Sequence, residues 1–145
     1  MFEFKAKHTW DIANVLVVLS KFINTECKLA LAGGFHPSEV PDYLKPHSDS
    51  LPSFIHRGTT WPVQETFLLE NAPKALCDLA HFAENFAPPE ICDHLNIFCE
   101  DTVVLEWHDF GDSIFHCTDT IGNDVASQLA KALECKLSWY NDPTH

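Results

Sequence analysis

An α+β fold is predicted for this chain by three observations. Apolar residues recur at helical spacing over residues 9–23 and 71–86. Three short runs rich in β-branched and aromatic residues follow between 95 and 117, separated by acidic turns. A further helical stripe over 121–133 is succeeded by an alternating segment at 135–140. The expected architecture is a small antiparallel sheet, formed by the C-terminal meander and a closing strand, packed against two or three helices. A length of 145 residues matches one domain, so 1–145 is taken as a single globular unit. Hydrophobic content of 46% with eleven Phe and four Trp supplies enough apolar surface to offset the entropy of ordering the chain.

The elements are justified in order as follows. The opening alternation Phe2, Glu3, Phe4, Lys5 suits a short strand. Thr9 can cap a helix carrying Ile12, Leu16, Leu19 and Ile23 on one face, although Val15 to Val18 would also fit a buried strand. Residues 28–32 read as a strand stopped by Gly33 and Gly34. From about 35 to 64, five prolines break any regular pattern and a long loop is expected, containing Tyr43, Trp61 and the chain's one arginine, Arg57. Asn71 caps the next helix, with Pro73 in its first turn, and Pro88-Pro89 ends it. Residues 95–99, 102–108 and 113–117 form the meander. In its middle strand, alternation puts Val103, Leu105 and Trp107 on one face and Val104, Glu106 and His108 on the other. Asp119 or Thr120 is expected to cap the last helix, and Leu137 and Trp139 to face inward from the closing strand.

Charge is the most informative functional feature. Residues 1–72 hold eight acids against six bases, whereas 73–145 hold thirteen against three, and no Lys or Arg occurs between Ala75 and Ala130. A field of one sign repels nucleic acid and anionic membrane and attracts basic surfaces. The expected partner is therefore a basic protein, such as a toxin or nuclease domain, with neither nucleic acid nor membrane as target. Candidate docking residues are Glu100, Asp101, Glu106, Asp109, Asp112 and Asp119 from the acidic half, with Trp61 and Tyr140 as aromatic anchors. The longest aliphatic run, residues 15–19, is far below the roughly 20 residues that span a bilayer. No apolar leader is evident at the start, so a cytoplasmic setting with six reduced cysteines is expected.

Catalytic signatures are weaker. Glu106, His108, Asp109, Asp112, His116 and Asp119 include the residue types of a metal-dependent hydrolase or a general acid–base pair. A four-residue turn at 109–112 would pair Leu105 with His116, which sets His116 on the face opposite Glu106, whereas a slip of one residue would unite them. Cys92, His94 and Cys99 lack the paired spacing of structural zinc. No metal or cofactor is expected. The leading expectation is an acidic inhibitor of the immunity-protein or antitoxin kind. The alternatives are a small enzyme using the 106–119 cluster and an adaptor subunit of a larger assembly.

Overall fold

The computed structural model describes residues 1–34, 39–55 and 64–141. Its strands are β1 (Phe2–Lys5), β2 (Lys28–Ala32), β3 (Thr66–Leu69), β4 (His94–Cys99), β5 (Thr102–His108), β6 (Ile114–Cys117) and β7 (Lys136–Trp139). Its α-helices are α1 (Ile12–Ser20), α2 (Glu39–Leu44), α3 (Ala72–Ala83), α4 (Pro88–Ile91) and α5 (Asn123–Leu133). All strand pairings are antiparallel and the seven strands form one sheet in the order β3-β2-β4-β5-β6-β1-β7. The fold is α+β, with a sheet larger than the meander and closing strand expected. β1 enters between β6 and β7, and β2 with β3 extends the other edge beyond β4. Such long-range pairings leave no local signature, because each strand's alternation says nothing of its neighbour.

One face of the sheet carries the main core. Phe4, Leu29, Leu31, Leu95, Ile97, Leu105, Trp107 and Phe115 meet Val15, Leu16 and Leu19 of α1, Leu76 and Leu79 of α3, and Leu129 of α5. Each aliphatic side chain buried to this degree contributes about 1.5–3 kcal/mol. The ring of Trp107 lies within 5.0 Å of Phe110 and 5.1 Å of Phe115, centroid to centroid. On the opposite face a smaller cluster of Ala30, Ile55 and Phe98 is joined by Leu51, Leu68 and Val103. That half of the outer face lies under residues 51–55 of the proline-rich stretch. The stretch also contains α2, and Ser48 bridges to Phe67. Residues 35–38 and 56–63, including Arg57 and the expected anchor Trp61, lie outside the described residues.

Caps and faces depart from expectation in four places, each for a local reason. Asp11, not Thr9, caps α1, accepting the Asn14 N–H at 3.2 Å. Asn71 caps α3 as expected and accepts the Lys74 N–H. A single 3-10 turn, Asp119–Ile121, precedes α5, which begins after Gly122 with no side-chain cap. In β5 the ladder runs Ile97 to Leu105 and then Phe98 to Val103, so Val104 is an extra residue in a β-bulge. The bulge breaks the alternation: Val103 joins the outer cluster while Val104 and Leu105 both serve the main core. Finally, Trp139 is 58% exposed, at the last residue of the edge strand β7, which has a neighbouring strand on one side only.

Candidate functional site

Strand direction divides the expected acidic residues between the two ends of the sheet. Glu100 and Asp101 form the β4–β5 turn, and the chain leaving β6 brings Asp119 to that same end. Asp109 and Asp112 lie at the other end, beyond β5, separated from the first group by a seven-residue strand, roughly 20 Å. Glu106 stands between the two ends on the outer face. The structure therefore brings together Glu100, Asp101 and Asp119 but not all six carboxylates.

Three acids absent from the sequence-based selection join the first group. Glu26 and Glu70 adjoin the ends of β2 and β3, and Asp124 lies in the first turn of α5. Glu26 and Glu100 line a cleft of about 310 Å³ with Thr102, Thr120, Cys99, Val104 and Ile121. Lys28 pairs with Glu70 at 3.3 Å, and the amino terminus with Asp119. Glu26, Glu100, Asp101 and Asp124 are exposed and have no ion-pair partner among the described residues. Asp119 receives the amino terminus and the Trp139 indole N–H, bonds that hold its carboxyl below the ordinary aspartate range. Tyr140, 38% exposed, adjoins this end and donates its N–H to the Met1 carbonyl.

The β5–β6 register differs from the one expected. Leu105 pairs with Cys117 and Glu106 with His116, so Glu106 and His116 are cross-strand neighbours on one face. The cause is the connection, which has one residue more than a four-residue turn. Asp109 and Gly111 take positive φ, and Phe110 folds back into the core against Trp107. The Trp107 indole donates to the Asp112 carbonyl, and a Cβ on Gly111 would stand 2.6 Å from Pro88. Aromatic anchoring of the loop thus sets the face of every residue in β6.

Across the outer face this register lines up Asn96, Glu106, His116, Glu3 and Ser138 on five successive strands. His116 Nε2 lies 3.4 Å from Glu3 Oε1, and His108 Nε2 lies 3.9 Å from Glu106 Oε2. The Ser138 hydroxyl donates to Glu3 at 3.4 Å, and the His116 ring meets the edge of Tyr140 at 5.9 Å. His94 stands beside His108, with rings 5.4 Å apart. Asn96 and Glu106 are buried polar side chains, at 2% and 6% exposure. Two carboxylate–imidazole pairs on one face can exchange protons with a bound group, the elementary requirement of general acid–base chemistry. Glu3 was not among the sequence candidates; its outward position in the Phe2–Lys5 alternation was visible, but its neighbours were not. Among the described residues no three His, Cys, Asp or Glu side chains assemble as a metal-binding group.

Cys27 and Cys99 are joined by a disulfide, Cα to Cα 4.3 Å, where six free thiols were expected. They flank the paired residues Lys28 and Phe98, so sheet pairing itself brings them together. Cys92 and Cys117 are buried, and burial pushes both thiols well above the usual range, assisted at Cys92 by Asp93. Neither has the electropositive, accessible setting of a nucleophilic cysteine. No helix among the described residues is long and apolar enough to cross a membrane. No protein-family model, curated protein or solved structure matches this chain.

Proposed function

We propose that this chain is an acidic protein-binding module that docks onto a basic protein partner, in the manner of an immunity protein or antitoxin covering a toxin or nuclease domain. The observation that carries the proposal is the acidic end itself, where Glu26 and Glu100 line a cleft with Val104 and Ile121, and the exposed Asp101 and Asp124 stand at the same end of the sheet without ion-pair partners among the described residues. Lysine and arginine combine an apolar stem with a charged head. A cleft with an apolar floor and an acidic rim complements both parts. Tyr140 and the exposed edge of Trp139 extend the same end with residue types common at binding hot spots. The cytosolic setting belongs to the same proposal, and in a reducing compartment Cys27 and Cys99 would stand as two thiols.

The test compares two variants in capture of partners from cells that express the protein. Glu26→Gln, Glu100→Gln and Asp101→Asn together neutralise the acidic end, while Asp109→Asn with Asp112→Asn neutralises the far end. All five positions are exposed, where substitutions change stability by no more than about 0.5 kcal/mol. A basic protein held by wild type and by the far-end variant, and lost by the acidic-end variant, supports the proposal. Equal capture by both variants would sink it.

A second reading, a small acid–base enzyme, is favoured by the Glu106–His116 pairing and the two carboxylate–imidazole pairs beside it. Hydrolysis of chromogenic ester or phosphoester substrates that is lost in His116→Asn would move weight to it. The adaptor reading calls for a continuous apolar surface. The large exposed apolar side chains among the described residues are Val17, Phe54, Trp139 and Tyr140, of which only the last two are neighbours.

A further inference from the structure

Opposite the acidic end, the chain gathers its scarce positive charge. Nine Lys and Arg stand against twenty-one Asp and Glu in the sequence. Four of the nine, Lys5, Lys7, Lys131 and Lys136, come to one corner where β1 ends and β7 begins. Lys5 and Lys136 are direct cross-strand partners, an arrangement of like charges that opposes pairing. None of the four forms an ion pair among the described residues. Lys131 suits the last turn of α5, where a cation complements the helix dipole. That reason does not extend to the other three.

A cavity of about 730 Å³ opens at this corner, between residues 6–10 and the C-terminal turn of α5. Lys7 and Lys131 supply its cationic side, Glu134 is the one acid in its wall, and Trp10 and Leu133 give it apolar surface. Its size falls within the range of small-molecule sites. One further observation bears on it. The Trp10 indole N–H is buried with no acceptor among the described residues, and a buried donor of that kind calls for a partner.

We propose that this cavity binds a small phosphomonoester carried on an apolar or aromatic body. Lys7 and Lys131 meet the phosphate as point charges, the role lysine plays at phosphate sites. Trp10 and Leu133 receive the apolar body. Lys5 and Lys136, on the neighbouring strand ends, add positive field that offsets the repulsion of a strongly acidic chain. The site is independent of the acidic cleft and of the docking proposed there.

Phenyl phosphate, phenol and inorganic phosphate are the probes, titrated against the full chain with amide and indole NMR shifts as readout. Expected is saturable movement of the Trp10 indole signal and of the residue 131–135 amides with phenyl phosphate, and at least tenfold weaker binding of the other two. The variant Lys7→Gln with Lys131→Gln should lose tenfold or more in affinity, whereas Lys21→Gln with Lys74→Gln should bind as wild type. All four lysines are exposed, and amide shifts away from the cavity verify that each variant is folded. Any of three results overturns the proposal: no saturation, equal affinity for inorganic phosphate, or an unweakened Lys7/Lys131 variant.

Discussion

At the scale of single residues, burial separates the cysteines into chemically distinct groups that a count of six could not separate. Cys77 is exposed, Cys135 is half-buried, and Cys92 and Cys117 are enclosed. Thiolate is the reactive form, so a raised pKa lowers reactivity at a given pH as well as burial does. Burial raises Cys135 most, partly offset by a backbone hydrogen bond and the Lys7 charge. Iodoacetamide at about pH 8 is therefore expected to label Cys77 first and Cys135 later, with Cys92 and Cys117 labelled only on unfolding. Peptide mass mapping over time checks the order; early labelling of Cys117 would contradict the enclosed β6 position. The same scale shows why the histidine cluster was only half legible. The types and positions of Glu106 and His116 were plain, but their shared face depended on one residue in the 109–113 connection and on where Phe110 packs.

At the scale of elements, the long amphipathic helices were readable because a face repeating every three to four residues needs no knowledge of its partner. The apolar stripe of α3 at Leu76, Leu79 and Ala80 is buried as its spacing required. Two short pieces were missed: α4 spans four residues directly after the expected helix stop at Pro88-Pro89, and the four residues of β3 follow the irregular proline-rich stretch without a turn signal of their own. Helix ends carry their own strain. At the end of α5 the Cys135 N–H donates to the Ala130 carbonyl and the Glu134 N–H to the Lys131 carbonyl, a Schellman closure. Such closures favour glycine at the left-handed position, and here glutamate occupies it at φ 53°. Glu134→Gly is expected to raise stability by about 0.5–1 kcal/mol, the relief of left-handed strain being partly cancelled by glycine's greater unfolded freedom. A urea titration checks this through a higher midpoint at unchanged slope. A lower midpoint would mean that the Glu134 side chain makes contacts worth more than the strain.

At the scale of the whole molecule, the fold gathers acids left unpaired among the described residues from several segments at one end of the sheet and four lysines at the other, where Asp109 and Asp112 also lie. Acids from the β2, β3, β4–β5, β6 and α5 termini meet at one end, while lysines from β1, α5 and β7 meet at the other. Exposed charges act over about 8 Å at physiological salt, so each local group of charges acts by itself at close range. Association of the acidic end with a basic partner is expected to slow as ionic strength rises. The salt slope should be shallower for the Glu26→Gln, Glu100→Gln, Asp101→Asn variant and unchanged for Asp109→Asn with Asp112→Asn. Stopped-flow association rates across a salt series measure both slopes, and identical slopes for all three proteins would remove the acidic end from the encounter.

By itself the sequence determined the α+β class, the three long helices, most of the strands and the sign of the field, because each of these rests on local spacing or on composition. The tertiary structure alone decided the seven-strand order, the β5 bulge, the Glu106–His116 pairing, the exposure of Trp139 and the Cys27–Cys99 link. It also decided which charges stand together. These are relations between segments distant along the chain. Strand pairing shifted by one residue exchanges every side chain between faces, so side-chain packing, more than local propensity, sets the outcome.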